Sequence, residues 1–359
     1  MKLASIVLDT GGDSIKCGFS NQSKPEFILP TKVGHYPNDC DNIRLMGHDL
    51  NKSKSDDSLK IAYPVERGFV KNWHDLECLF SHLYEKCLQV DSDEYAVMAS
   101  EPPGITSANR EKLAQILFEK FKVPKLCLKN QSVLTLHSYG KTTGLVVDVG
   151  HSVTYVVPIC QGNALNHAME RYYIGGRDIS NYVANCLDLQ SEPYLAREIK
   201  ENFCYVKSED DSTENAASYE LPDGKVLNLT REQRYYPSEV LFKPMLIDMD
   251  IMGLHEIAYK TIAKTQIDLR RDLYANIFLA GGSSLLNGLS KRIEQEIKLL
   301  APKSIDVNVK ENESRQFSSW MGGNILASLE NFQNEMCISL SEYKENGSSI
   351  ITKKFLPLN

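Results

Sequence analysis

The chain has no C-x-x-C pair among its nine cysteines, no lysine- or arginine-rich run, no apolar stretch long enough for a bilayer, and only two tryptophans in 359 residues. An odd number of scattered cysteines argues for reduced thiols and against a disulfide framework or a zinc site. The eight histidines do not cluster either, and His255-Glu256 is followed by Tyr259 where the second ligand of H-E-x-x-H would stand, which excludes a zinc-protease helix. A net charge of −7 and a pI near 5.7 leave no basic footprint, so direct nucleic-acid binding is not expected. The start, Met1–Leu8, reaches Asp9 before a signal-peptide core has formed, and nothing later approaches the roughly 20 apolar residues of a membrane span. The expectation is a soluble intracellular protein. Gly140-Lys141-Thr142-Thr143-Gly144 is not a P-loop, because Thr135 occupies the place of that motif's first glycine.

What is present is 42% hydrophobic content over a length that allows two domains, each with its own core. The organising stretch is Ile6-Val7-Leu8-Asp9-Thr10-Gly11-Gly12-Asp13-Ser14-Ile15-Lys16, which returns in altered form as Leu145-Val146-Val147-Asp148-Val149-Gly150-His151-Ser152-Val153-Thr154. Each copy reads as a strand covered on both faces, ending in a carboxylate and a glycine turn. Such a turn lets backbone N–H groups approach an anion closely, so two of them would grip a polyphosphate. Asp9 and Asp148 would then bind a hydrated Mg²⁺ through its waters. Lys16, seven residues after Asp9 on the return strand, would reach the phosphates as a point charge. A third turn stands at Phe278-Leu279-Ala280-Gly281-Gly282-Ser283-Ser284.

Between these landmarks, Lys24–Pro30 reads as a turn and a short strand, and residues 34–60 as a polar surface excursion. Trp73, Leu76, Leu79, Phe80 and Leu83 fall at helical spacing, and Tyr95–Ala99 reads as a buried strand. Ser107 is the expected N-cap of a helix running towards Phe121. From Asp148 the order of elements repeats, which points to an internal duplication. The acidic tract Ser208–Glu214 reads as a solvated loop.

The paired hairpins and the third turn resemble those of actin and the actin-related proteins, and further collinear matches carry the resemblance over nearly the whole chain. They include Tyr63-Pro64-Val65-Glu66-Arg67-Gly68, Gln131-Ser132-Val133-Leu134, Gly175-Gly176-Arg177-Asp178, Leu221-Pro222-Asp223-Gly224 and Trp320-Met321-Gly322-Gly323-Asn324-Ile325-Leu326. The resemblance implies an α/β chain with the actin-like ATPase fold: two ribonuclease-H-like domains with a nucleotide cleft between them, each with a smaller inserted subdomain. Domain I would span 1–138, with its small subdomain at about 33–64. Domain II would span 139–315, with an insertion at about 176–250, and 316–359 would return to domain I.

It also implies ATP or ADP with Mg²⁺ as cofactors. The nucleotide would lie against Gly11, Gly12, Asp13, Ser14, Lys16, Gly150, His151, Ser152, Val153, Gly176, Gly281, Gly282 and Ser283, with Gly282 letting the base lie against backbone. Arg197, Lys200 and Glu201 share a helix face by spacing, and the resemblance places them around adenine and ribose, with Leu285 as an apolar neighbour and Gln316 in place of a lysine. Leu286 stands where actins carry an aromatic residue, so weaker stacking is expected. The catalytic residues would be Gln131, Asp9 and Asp148, Gln131 orienting the attacking water without acting as a base. His151 replaces an acidic residue and Tyr155 a histidine, so the expectation is nucleotide binding with slow hydrolysis.

The function so implied is a cytoplasmic, cytoskeletal assembly protein, whose partners are itself or conventional actin, with actin-binding proteins. The alternative is a static nucleotide-binding subunit of an actin-related complex, in the nucleus in one version. A small-molecule kinase of the same superfamily would want a carboxylate base where Gln131 stands. The loop His35–Met46, the carboxylates within Met245–Leu254 and the tail Lys354–Asn359 disfavour long homopolymers of the ordinary kind.

Overall fold

The computed structural model describes residues 4–36, 44–52, 58–208, 216–221 and 224–355. Most of the expected loop at 35–46, of the acidic tract 208–214 and of the tail 354–359 therefore lies outside the described residues, as do Pro222 and Asp223. Two compact units emerge: Met1–Thr142 with Gly162–Ala164 and Phe317–Asn359, and Thr143–Gln161 with Leu165–Gln316.

In the first unit, β1 (Ile6–Thr10) and β2 (Ser14–Phe19) form the first hairpin and β3 (Phe27–Pro30) pairs antiparallel with β2. The excursion that follows holds a three-stranded sheet of Val33–His35, Arg44–Leu45 and Lys60–Ala62. Helix α1 (Trp73–His82) starts at an Asn72 cap that accepts from the Asp75 N–H, and it buries Leu76, Leu79 and Phe80 at the expected spacing. Strand β4 (Val97–Glu101) runs parallel to β1. It starts two residues later than Tyr95, where pairing with β1 begins at Val97, and continues to Glu101, whose buried carboxylate takes two bonds of 2.7 and 2.5 Å from Arg110. Helix α2 (Ser107–Gln115) is capped by Thr106 and not by Ser107: Thr106 is still extended and accepts from the Asn109 N–H, whereas Ser107 is already in the first turn. Strand β5 (Lys125–Asn130) is parallel to β4 and leads directly into α3 (Gln131–Ser138).

The second unit repeats this order. β6 (Gly144–Val149) and β7 (Thr154–Cys160) form a hairpin, and β8 (Glu170–Tyr172) pairs antiparallel with β7. After α4 (Gly176–Cys186) and α5 (Pro193–Phe203), β9 (Ile277–Ala280) runs parallel to β6 and β10 (Val309–Lys310) parallel to β9. After a short turn at Arg315–Phe317 the chain returns to the first unit with α6 (Ser318–Ser328) and with β11 (Ile338–Ser339) on the edge of β5.

The first sheet therefore runs β3-β2-β1-β4-β5-β11, and its first five strands match β8-β7-β6-β9-β10 of the second unit in order and direction. The central strands are buried for the reason their sequences give: Ile6, Val7 and Leu8, like Leu145, Val146 and Val147, have apolar neighbours on both faces and are no more than 2% exposed. Each unit has its own core, as its share of apolar residues requires. No helix among the described residues is long and apolar enough to cross a membrane.

Candidate functional site

In the first unit the hairpin register sets Lys16 directly opposite Asp9. Facing residues of an antiparallel pair share one face of the sheet, so ammonium and carboxylate emerge on the same side. The turn closes through Gly11 N–H to Ser14 O at 3.1 Å. Thr31 then ties two carbonyls back: its N–H donates to Asp13 O at 2.9 Å and its hydroxyl to Gly11 O at 2.8 Å. Lys16 Nζ donates to Ser14 O at 3.3 Å. With those carbonyls engaged, the turn is left to offer backbone N–H groups to an anion. A Cβ on Gly11 would come to 3.0 Å from Ser14 O, so the tight turn favours glycine there.

Asp9 is 6% exposed, and its Oδ1 accepts from Ser100 Oγ at 2.6 Å, Ser319 Oγ at 2.9 Å and Gln131 Nε2 at 3.1 Å. Gln131 is the first residue of α3, whose N-cap Asn130 accepts from the Ser132 and Val133 N–H groups. The structure thus brings Asp9, Gln131 and Lys16 together on one end of the first sheet.

The second unit builds its turn with different parts. Gly150 N–H donates to Val153 O at 3.1 Å, which repeats the Gly11 bond. Here the carbonyls are held by the start of α4: Gly176 N–H donates to Gly150 O at 3.0 Å and Arg177 N–H to His151 O at 2.7 Å. Ser283 Oγ adds a bond to Gly150 O at 2.9 Å, and Lys200 Nζ one to Gly176 O at 3.3 Å. Gly175 has no room for a side chain, since a Cβ would come within 2.8 Å of Gly150 O. Gly281 lies at φ +87°, and a Cβ on it would overlap Val149 O and Asp148 Oδ1. Its neighbour Gly282 is the opposite case, with nothing within 4 Å of where a Cβ would stand. That open backbone, beside turns whose carbonyls are tied back and a buried Lys200 ammonium, fits a nucleotide phosphate or base edge.

Gly150, Gly176, Lys200 and Ser283 therefore converge, with Asp148 and Gly281 at the neighbouring strand ends. Arg197 and Glu201 are less involved: they pair with each other at 2.8 Å, with side chains 43% and 51% exposed. Leu285 is exposed and Gln316 half-buried. Leu286, considered above as a stacking position, is buried in the core of the second unit and offers no face to a base.

Tyr155 stands opposite Asp148 in the register, where the first unit has Lys16 opposite Asp9. Its ring lies beneath Arg171, 5.3 Å from Cζ to the centroid, and its hydroxyl is buried beside that guanidinium. Burial pushes its phenol pKa up to about 12, with the Arg171 charge opposing the rise and Asp148 adding to it. A carboxylate-rich cage is absent, in that no three His, Cys, Asp or Glu converge among the described residues. Mg²⁺ does not need one, because it keeps several waters and takes one or two carboxylates; the hairpin of the first unit carries Asp9 and that of the second Asp148.

Sequence reasoning missed Thr31, Ser100, Ser319 and Arg315. Arg315 is 9% exposed and clamps the third turn, donating to Ser284 O at 3.3 and 3.0 Å while its own carbonyl accepts from Gly281 N–H at 3.3 Å. Ser319 carried one usable signal, its place immediately before the Trp320 block. A family model described as Actin matches residues 1–191 and 187–356.

Proposed function

The chain belongs to the actin family, and from that membership we propose that it binds ATP or ADP with Mg²⁺ and works as a nucleotide-dependent assembly protein with slow hydrolysis. The observation that carries the reading is the repeated hairpin: twice, a strand ends in an acidic residue and a glycine turn whose carbonyls are bonded back into the protein. Bound Mg²⁺ supplies neutralisation of phosphate charge. The chain supplies the rest. Backbone N–H groups of the turns after Thr10 and Val149 hold phosphate oxygens, and Lys16 adds a fixed positive charge. Asp9 and Asp148 hold the metal's waters. Gln131 orients the attacking water, while Tyr155 puts an aromatic ring where a proton-relaying histidine would serve better.

A second reading, a subunit of an actin-related complex, is favoured by one region. Met245, Ile251 and Met252 are exposed apolar residues on the second unit, with Asp248 and Asp250 exposed among them. Burying either carboxylate unpaired against another copy would cost a few kcal/mol or more, so a partner that pairs with them is the better match. On either reading the protein works in the cytoplasm or in a nuclear complex.

Thermal melting with Mg-ATP tests the shared part of both readings. Saturating ligand is expected to raise Tm by mass action, and Asp148→Ala to abolish most of that rise. A melting temperature indifferent to millimolar Mg-ATP would remove the nucleotide from the proposal.

A further inference from the structure

Gln131 Nε2 has three neighbours: Asp9 Oδ1 at 3.1 Å, Thr10 O at 3.3 Å and Ser100 Oγ at 3.2 Å. The first two can only accept. A flipped amide would set Oε1 against a carboxylate and a carbonyl, so these partners admit one orientation, N–H groups inward and Oε1 outward. Ser100 uses its single O–H on Asp9, which leaves its oxygen to accept from Gln131. The orientation of the amide therefore depends on where the Asp9 carboxylate stands.

That position is set from the far end of the chain. Ser319 donates to the same Asp9 Oδ1 from the first turn of α6, 310 residues away. Its own place is rigid. The next residue, Trp320, is fully buried and donates from Nε1 to Val7 O on β1 at 3.1 Å. One turn further on, α6 lies so close to α3 that a Cβ on Gly322 would overlap Leu134 O. The N-terminal turns of α3 and α6 thus both reach Asp9. A hydroxyl serving only its own helix would cap a neighbouring N–H. Ser319 instead adds a donor to a carboxylate oxygen that already has two.

We propose that Ser319 is a positioning residue: with Ser100 it fixes the Asp9 carboxylate, and through it holds the Gln131 amide with Oε1 outward as acceptor for the attacking water. The inference rests on the nucleotide reading above. In the step so oriented, the water oxygen bonds to the terminal phosphorus as the bond from phosphorus to the bridging oxygen breaks. The electron pair stays on the leaving diphosphate, and the water proton ends on the phosphate product. Gln131 aligns an O–H of the water and takes no proton.

The test uses the full-length chain and compares Ser319→Ala with Ser319→Thr. In the nucleotide-free protein, the side-chain amide resonance of Gln131, assigned by its loss in Gln131→Glu, is expected to shift in Ser319→Ala and to stay in place in Ser319→Thr. In single turnovers with saturating Mg-ATP, Ser319→Ala is expected to slow phosphate release about tenfold or more while ATP affinity changes less than about threefold. Ser319→Thr should recover most of the rate. An unmoved Gln131 resonance in Ser319→Ala overturns the proposal. So does a loss of ATP affinity as large as the loss of rate, which marks a merely structural serine. If the parent binds no ATP, the nucleotide reading fails, and the resonance still decides whether Ser319 holds Gln131.

Discussion

The two hairpins are copies in backbone and strangers in chemistry. Both close with the same bond, Gly11 N–H to Ser14 O and Gly150 N–H to Val153 O, each at 3.1 Å, and both sit in sheets of the same strand order. Yet a lysine faces the first carboxylate and a tyrosine the second, and the turn carbonyls are held by Thr31 in one unit and by the start of α4 with Ser283 in the other. A fold can repeat its scaffold while its site residues diverge, and function has to be argued from those residues.

The comparison breaks most visibly at the third turn, which belongs to the second unit alone. Gly281→Ala forces a side chain into φ +87° and against Val149 O, and is expected to destabilise the protein by about 3 to 5 kcal/mol. Gly282→Ala, one residue on, should change stability by no more than about 0.5 kcal/mol, because its Cβ meets nothing. It should lower ATP affinity all the same. Urea unfolding beside an ATP titration separates the two.

The facing residues come next. Lys16→Met is expected to weaken ATP binding by about 10- to 100-fold, the worth of one hydrogen bond to a charged group. Tyr155→Phe keeps the ring and removes only the buried hydroxyl beside Arg171, so affinity should hold within about twofold and stability should change by no more than about 1.5 kcal/mol. Equal losses from both variants would mean that the hairpins contribute alike. Sharpening the contrast from the other side, His151→Asp combined with Tyr155→His is expected to speed phosphate release by about tenfold. No acceleration in a single-turnover assay would count against Tyr155 and His151 as the cause of slow hydrolysis.

The smallest effect expected is on pH dependence. Burial holds the His137 imidazole in the first unit and that of His255 in the second below their ordinary value of about 6.5. The unfolded chain then binds more protons below that pH. The stability these groups contribute is full above about pH 6.5 and falls as the solution is acidified towards the folded values. His137→Gln and His255→Gln should each flatten the decline in Tm between pH 7 and 5.5.

Much of this was legible in the sequence because it is local. The β-branched runs before Asp9 and Asp148, the glycines after them and the helical spacing of Leu76, Leu79 and Phe80 all follow from residues within a few positions of one another. The misses share a cause. Thr31, Ser100 and Ser319 act on partners 20, 91 and 310 residues away, and no periodicity links a serine to a carboxylate at such distances. The N-cap was misplaced by one residue because Thr106 and Ser107 are both good caps, and only the backbone, extended at Thr106, separates them.

The bond between Ser319 and Asp9 also sets a schedule. Asp9 leaves the ribosome early, but its carboxylate lacks one donor, and β1 lacks the Trp320 contact at Val7, until some 310 further residues have been made. At about 5 to 20 residues per second that is roughly 15 to 60 s. The first unit is begun first and finished last, while the second can be completed in between. A nascent chain halted before Ser319 therefore carries a strand awaiting its cover, and such a chain is where the cell's folding assistants have the most to bind.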